Sequence, residues 1–160
     1  MADIIVGIGE MAVSRSPGDI LKTFALGSCV AVILLAPQKK SVGLVHVALP
    51  DSNLNKVLAA DKPGQFADTG IPNLLNKMVY HGCQNVDMVA KIAGGANFLN
   101  DGGVFRIGER NVLAIKQILS KLNLKLISED VGRNIGRTVY VSVKTGRILI
   151  LSPGRGEWEL

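Results

Sequence analysis

The chain has 160 residues, 48% of them hydrophobic and 19% charged, with 18 Lys and Arg against 13 Asp and Glu. That composition excludes a disordered chain and predicts one domain over 1–160, with 152–160 as a C-terminal tail. The formal charge of +5 suits an acidic partner, but the basic residues are scattered apart from Lys39-Lys40 and aromatics make up only 4%. Without a stacking platform, no nucleic-acid partner is expected. Two cysteines and two histidines make neither a CxxC pair nor a disulfide framework, and a four-ligand zinc site would consume all of them. No metal site is expected. The start, Met1-Ala2-Asp3, has no basic n-region of a secretory signal. The longest uncharged apolar stretch, Phe24 to Ala36, contains Gly27 and Ser28 and stops at Pro37, short of the roughly 18 residues of a spanning helix. The expectation is a cytoplasmic protein with reduced thiols and no membrane insertion.

Ile4-Ile5-Val6 opens a short strand, and Pro17-Gly18 marks a turn. Cys29 to Leu35 is a continuous, β-branched apolar run bounded by Gly27 and Pro37, the pattern of a strand buried on both faces. Pro37 to Lys40 is a polar connection, and Val42 to Ala48 returns as the second arm of a hairpin. Leu49 to Pro63 is polar and aperiodic and reads as a long loop. Ile71, Leu74, Leu75 and Met78 recur at helical spacing, with Asp68 or Thr69 as N-cap and Gly82 as the stop. Val86 to Ile92 is a second buried strand, and a Gly-rich loop runs from Gly94-Gly95 to Gly108. Val112, Ile115, Ile118, Leu119 and Leu122 stripe a second helix. Leu124 to Ile127 is a strand, and Thr138 to Val143 with Ile148 to Leu151 forms a hairpin turning at Lys144 to Arg147. The elements sum to an α/β domain of the α+β type, two helices on a largely antiparallel sheet.

Three constellations bear on chemistry. Gly7-Ile8-Gly9-Glu10-Met11-Ala12 follows a strand and imitates a dinucleotide fingerprint. No helix pattern follows it, and from Ile20 to Pro50 there is no acidic residue to hold a ribose. The glycines read as strand-end and bulge positions. In Leu26-Gly27-Ser28-Cys29-Val30, small residues precede a cysteine at the mouth of a buried strand. Gly27 and Ser28 let a substrate approach the backbone, whose N–H groups can face an oxyanion. Free cysteine also packs readily as a small hydrophobe, so Cys29 is either a nucleophile or core. His46 stands in an otherwise apolar strand whose pairing with the Cys29 strand brings imidazole near thiol, the minimum for thiolate chemistry. A buried, merely satisfied histidine is the alternative. His81 and Cys83, at the end of the first helix, read as C-capping and structural.

The string Thr23-Phe24-Ala25-Leu26-Gly27-Ser28-Cys29-Val30-Ala31-Val32, then His46 with Leu49-Pro50-Asp51-Ser52, resembles the chemoreceptor glutamine deamidases (CheD) of chemotaxis. The resemblance runs on through Lys62-Pro63-Gly64, Ala67-Asp68-Thr69, Lys91 to Ala96, Ile107 to Asn111 and Thr145-Gly146, from about Ile5 to Leu151. It implies a mixed, largely antiparallel β-sandwich flanked by helices, similar to the catalytic domain of the cytotoxic necrotising factors. It implies a catalytic set of Cys29, His46 and Thr23, no cofactor, and hydrolysis of selected glutamine side chains in methyl-accepting chemotaxis receptors. A CheC-type phosphatase is an implied partner. A regulatory binding role towards it and receptor methylesterase activity are the alternatives, with Phe98, Phe105 and Arg133 as surface anchors for the binding role; for the two phenylalanines, packing within their loop is the favoured reading over an interface. The sequence departs from the family at Phe66, where Tyr is common, and at Gly132-Arg133, where Gly-Gly is common.

Overall fold

A computed structural model of the chain describes residues 2–98 and 106–160. The described residues build two five-stranded sheets. In the first, the order is β1 (Asp3–Ile5), β3 (Ile20–Leu26), β8 (Arg137–Ser142), β9 (Ile148–Ser152) and β10 (Gly156–Glu159). In the second it is β2 (Met11–Ser14), β5 (Ser41–Val47), β4 (Val30–Ala36), β6 (Val89–Gly94) and β7 (Lys125–Val131). The helices are α1 (Lys56–Asp61), α2 (Ala67–Tyr80) and α3 (Ile107–Lys121). Only β1–β3 and β6–β7 pair in parallel; the remaining ladders are antiparallel. None of these helices is long and apolar enough to cross a membrane.

β4 is apolar at every position because it is covered twice. Ala31, Ile33 and Leu35, with Val42 and Leu44 of β5, face the other sheet and meet Leu21, Val139, Val141, Ile148 and Ile150. Val30, Val32 and Leu34, with Val45 and Val47, face the helices and meet Ile71, Leu74 and Met78 of α2 and Ile115 and Leu119 of α3. Each such aliphatic side chain contributes about 1.5–3 kcal/mol when fully buried. The molecule is therefore layered sheet, sheet, helices, and the expected sandwich flanked by helices is present. Gly43 fits the same scheme: a Cβ there would stand 2.9 Å from the Met78 sulfur and 3.0 Å from Leu74.

Several local expectations are corrected. The segment read as a long loop carries α1, whose N-terminus is capped by Asn55 accepting from the Leu58 N–H. Six residues are too few to show apolar periodicity. Neither Asp68 nor Thr69 caps α2; Phe66 holds that position with no side-chain cap, and α2 starts one residue before Asp68. Asp68 is engaged instead by the Ser52 backbone N–H and hydroxyl, at 2.8 and 2.6 Å, while Thr69 donates to the Pro63 carbonyl at 2.6 Å. Gly82, at φ +96°, does follow the helix end. The last residues form β10 against β9, and Trp158 donates its indole N–H to Asp130 at 2.6 Å. β2 and β3 had no counterpart in the sequence reading, and β3 contains the bulge that shapes the site.

Candidate active site

The β4–β5 register sets the first two side chains. Ala31 lies opposite His46 and Val30 opposite Val47. One step beyond the last pair, Cys29 falls diagonal to His46, a separation of about 7–8 Å between such backbone positions. Both side chains lie on the face turned to the other sheet, where Cys29 packs against the inter-sheet core. Cys29 is partly exposed and His46 is 1% exposed. They share a face without touching by hydrogen bond: His46 Nε2 is buried and has no partner among the described residues.

Thr23 arrives from the opposite sheet. It is fully buried on β3, and its Oγ1 lies 2.7 Å from His46 Nδ1 and 2.7 Å from the Val6 carbonyl oxygen. Counting protons fixes the tautomer. A carbonyl only accepts, so the single Thr23 hydroxyl proton is given to Val6. Thr23 Oγ1 must then accept from His46 Nδ1–H, which leaves Nε2 as the nitrogen with a bare lone pair. The order is Nδ1–H to Thr23 hydroxyl to Val6 carbonyl, and it ends on a neutral backbone group.

Burial sets the charge state. It pushes the His46 imidazole down to about 4 from its ordinary 6.5. It pushes the Cys29 thiol above its ordinary 9.0, an effect partly offset by Cys29's own backbone N–H. Both shifts favour a neutral thiol beside a neutral imidazole.

The turn before Cys29 is shaped by a β-bulge. Thr23 pairs with Val139 and Leu26 with Arg137, so Phe24 and Ala25 together oppose Thr138. Ala25 adopts φ +56°, a left-handed conformation that costs a residue with a Cβ about 1–2 kcal/mol. The bulge swings the chain into Gly27-Ser28-Cys29. Three successive carbonyls of that turn are engaged: Gly27 accepts from Ala96 N–H at 2.8 Å, Ser28 from Asn111 Nδ2 at 2.9 Å, and Cys29 from Gly95 N–H at 2.8 Å. The N–H groups of Ser28 and Cys29 enter no turn, loop or side-chain hydrogen bond among the described residues. Gly94 has to be glycine for this approach, since a Cβ there would sit 2.3 Å from the Cys29 carbonyl oxygen.

The other sequence candidates fall elsewhere or serve the backbone. The Gly7–Ala12 segment lies beside His46, with Gly9 N–H donating to the His46 carbonyl at 2.8 Å and His46 N–H to that of Glu10 at 3.2 Å. It is strand-end structure, as expected. His81 is the C-cap of α2 and Cys83 is buried in the helix-side core, away from Cys29. Phe98 rests over Gly27, where a Cβ would meet its ring at 3.2 Å. Arg133 is at φ +58°, a conformation that explains why glycine is common there, and Phe105 lies outside the described residues. Two contributors escaped the sequence reading, the Val6 carbonyl and Asn111. Neither role has a sequence signal: one is a backbone atom, and the other a single amide in a segment that carries the family resemblance without showing what the amide does.

Residues 48–152 match the family model of CheD, described as chemotactic sensory transduction. A probable chemoreceptor glutamine deamidase CheD of Syntrophotalea carbinolica is 48% identical over the whole of both chains. The probable chemoreceptor glutamine deamidase CheD 1 of Syntrophus aciditrophicus is 45% identical over 96% of each chain. The chemoreceptor glutamine deamidase CheD of Thermotoga maritima is 42% identical over 96% of this chain and 94% of its own. Among solved structures, the Neisseria meningitidis protein NMB0706, of family-model DUF152, covers 82% of this chain at a TM-score of 0.48 and 8% identity. That similarity is too distant to bear on chemistry.

Proposed function

The chain belongs to the CheD family, and from that premise we propose that it is a protein-glutamine deamidase acting on chemotaxis receptors with Cys29 as nucleophile. The observation that carries the mechanism is the hydrogen-bond chain through Thr23, which leaves a bare Nε2 on the face shared with the thiol. His46 Nε2 takes the Cys29 proton as sulfur attacks the γ-carboxamide carbon of a receptor glutamine. The carbonyl oxygen becomes an oxyanion, received by the backbone N–H groups of Ser28 and Cys29 beside Gly27. The imidazolium returns its proton to the amide nitrogen, ammonia leaves, and a thioester remains. His46 then deprotonates a water that attacks the thioester, releasing glutamate and restoring the thiol. Thr23 acts throughout as acceptor for Nδ1–H. A neutral acceptor steadies the imidazolium less than a carboxylate would, so slow turnover is expected.

No step calls for a metal or organic cofactor, and a free thiol as nucleophile suits a reducing cytoplasm. The test is mass spectrometry of receptor peptides after incubation with the protein. Conversion of glutamine to glutamate by the wild type and none by Cys29→Ala is the expected result; equal conversion by both refutes the thiol mechanism. A binding role towards a CheC-type phosphatase is compatible with the exposed Arg133 and Phe98 flanking this end of the molecule. Chemotaxis restored in a deletion strain by Cys29→Ala would rank that role above catalysis.

A further inference from the structure

Asn111 is a fully buried amide on α3, on the helix side of the sheet that carries Cys29 and His46. Its Nδ2 donates to the Ser28 carbonyl at 2.9 Å and to the Ala48 carbonyl at 3.0 Å. Two carbonyl acceptors fix which end of the amide is nitrogen, and Oδ1 is left buried with no partner among the described residues. These two carbonyls sit where β4 and β5 stop pairing, just past the Val30–Val47 pair. One belongs to the residue before the nucleophile, and the other lies two residues after His46. A single side chain thus clasps the open end of the hairpin that bears both groups.

The clasp has a second effect. A peptide unit is planar and trans, so its C=O and N–H point in opposite directions. Ser28 C=O is drawn towards α3, and the N–H of the same peptide unit, that of Cys29, is therefore turned away from the helices. That direction is the inter-sheet face, where the Cys29 side chain and His46 lie. The neighbouring units are fixed in the same way by Ala96 and Gly95, both backbone donors. The central unit is the one held by a side chain.

We propose that Asn111 is the positioning residue of the oxyanion site: it holds the Ser28–Cys29 peptide so that the Cys29 N–H faces the developing oxyanion. This rests on the deamidase reading and adds to it a specific donor and the side chain that aims it. Removing one oxyanion donor typically lowers kcat by about 100- to 1000-fold. Losing its orientation through Asn111 is expected to cost about 100-fold in kcat with little change in KM.

The experiment compares wild type, Asn111→Ala and Asn111→Asp. The Asp variant keeps the shape but presents only oxygen to two carbonyls. For each, receptor-peptide deamidation is measured beside the rate of Cys29 alkylation by iodoacetamide at alkaline pH. Alkylation is a displacement with no oxyanion, so it reports thiol placement alone. The expected result is a loss of about 100-fold in kcat with alkylation within a few-fold of wild type. Parallel loss of both rates would make Asn111 merely structural, and unchanged kcat would remove it from the site; either overturns the proposal. A second measurement needs only the wild type: a peptide aldehyde in place of the glutamine amide forms a tetrahedral thiol adduct, followed by the Cys29 amide signal in NMR. A marked downfield shift of that amide supports the Cys29 N–H as the donor even if neither variant folds, and an unmoved signal overturns the proposal. Wild type that forms the adduct but never deamidates would count against the deamidase reading alone.

Discussion

His46 should make the fold acid-sensitive in a window set by its own titration. The imidazole is almost fully buried, and burial holds it at about 4 against 6.5 in the unfolded chain. Between these values the unfolded chain binds a proton that the folded chain refuses, so stability rises with pH there. The contribution is complete above pH 6.5 and is lost as pH falls through about 4. At 1.36 kcal/mol per pH unit, the span amounts to about 3 kcal/mol. For a chain of this size that corresponds to roughly 6–12 °C in Tm. Carboxylates titrate in the same range, so wild type alone cannot isolate the effect. His46→Asn can, because its amide nitrogen replaces Nδ1 as donor to Thr23 and does not titrate. The variant also leaves a small void, so pH dependence rather than absolute stability is compared. Unfolding free energies from urea titrations should fall more steeply for wild type between pH 7 and pH 4.5, by about 2–3 kcal/mol. Parallel curves would refute the reasoning and mean that His46 is hydrated or paired with a charge when folded.

Cys29→Ala should abolish deamidation with an unchanged thermal melt, whereas Cys83→Ala should keep near-normal activity at a small cost in stability, read by the same two assays. The pH profile of kcat/KM should be a broad plateau with an acid limb near the His46 value of about 4 and a basic limb above 9. A narrow bell centred near neutrality would show a resting thiolate–imidazolium pair instead. Thr23→Val removes the hydroxyl while keeping the shape, stranding the Val6 carbonyl and Nδ1–H. It should lower kcat by about 100-fold and stability by about 1–3 kcal/mol, both largely recovered in Thr23→Ser; full activity in Thr23→Val would exclude the relay.

What the sequence disclosed was governed by local pattern. The run from Cys29 to Leu35 announced β4 because a strand covered on both faces has no polar side to display, and the polar turn at Pro37 to Lys40 then fixed β5 and the shared face of Cys29 and His46. The β8–β9 hairpin declared itself by alternation, and α2 and α3 by their apolar stripes. β3 did not, because the bulge at Phe24-Ala25 breaks the alternation that would have marked it. For the same reason, nothing local shows that Thr23 crosses from one sheet to meet a histidine on the other; that pairing entered only through family resemblance. Asn111 and the Val6 carbonyl were unreadable because their partners lie 83 and 17 residues away along the chain.

The hydrogen-bond chain from His46 through Thr23 ends on the neutral Val6 carbonyl, not on a carboxylate. With burial holding His46 near 4 and the thiol above its ordinary 9.0, moving the proton from Cys29 to Nε2 is uphill in the empty site. A carboxylate in place of Thr23 would lower that step by stabilising the imidazolium, and would also leave a standing thiolate open to oxidation and alkylation. The neutral pair keeps the sulfur quiet until a carbonyl arrives whose developing oxyanion is met by backbone N–H groups, so the favourable interaction comes with the substrate rather than before it. On the proposed mechanism, slow turnover is expected and the thiol is spared between encounters. On the same mechanism, the bulge, the strained Ala25 and the Asn111 clasp act on the one part of this balance that stabilises the transition state, the direction of the N–H groups beside Cys29.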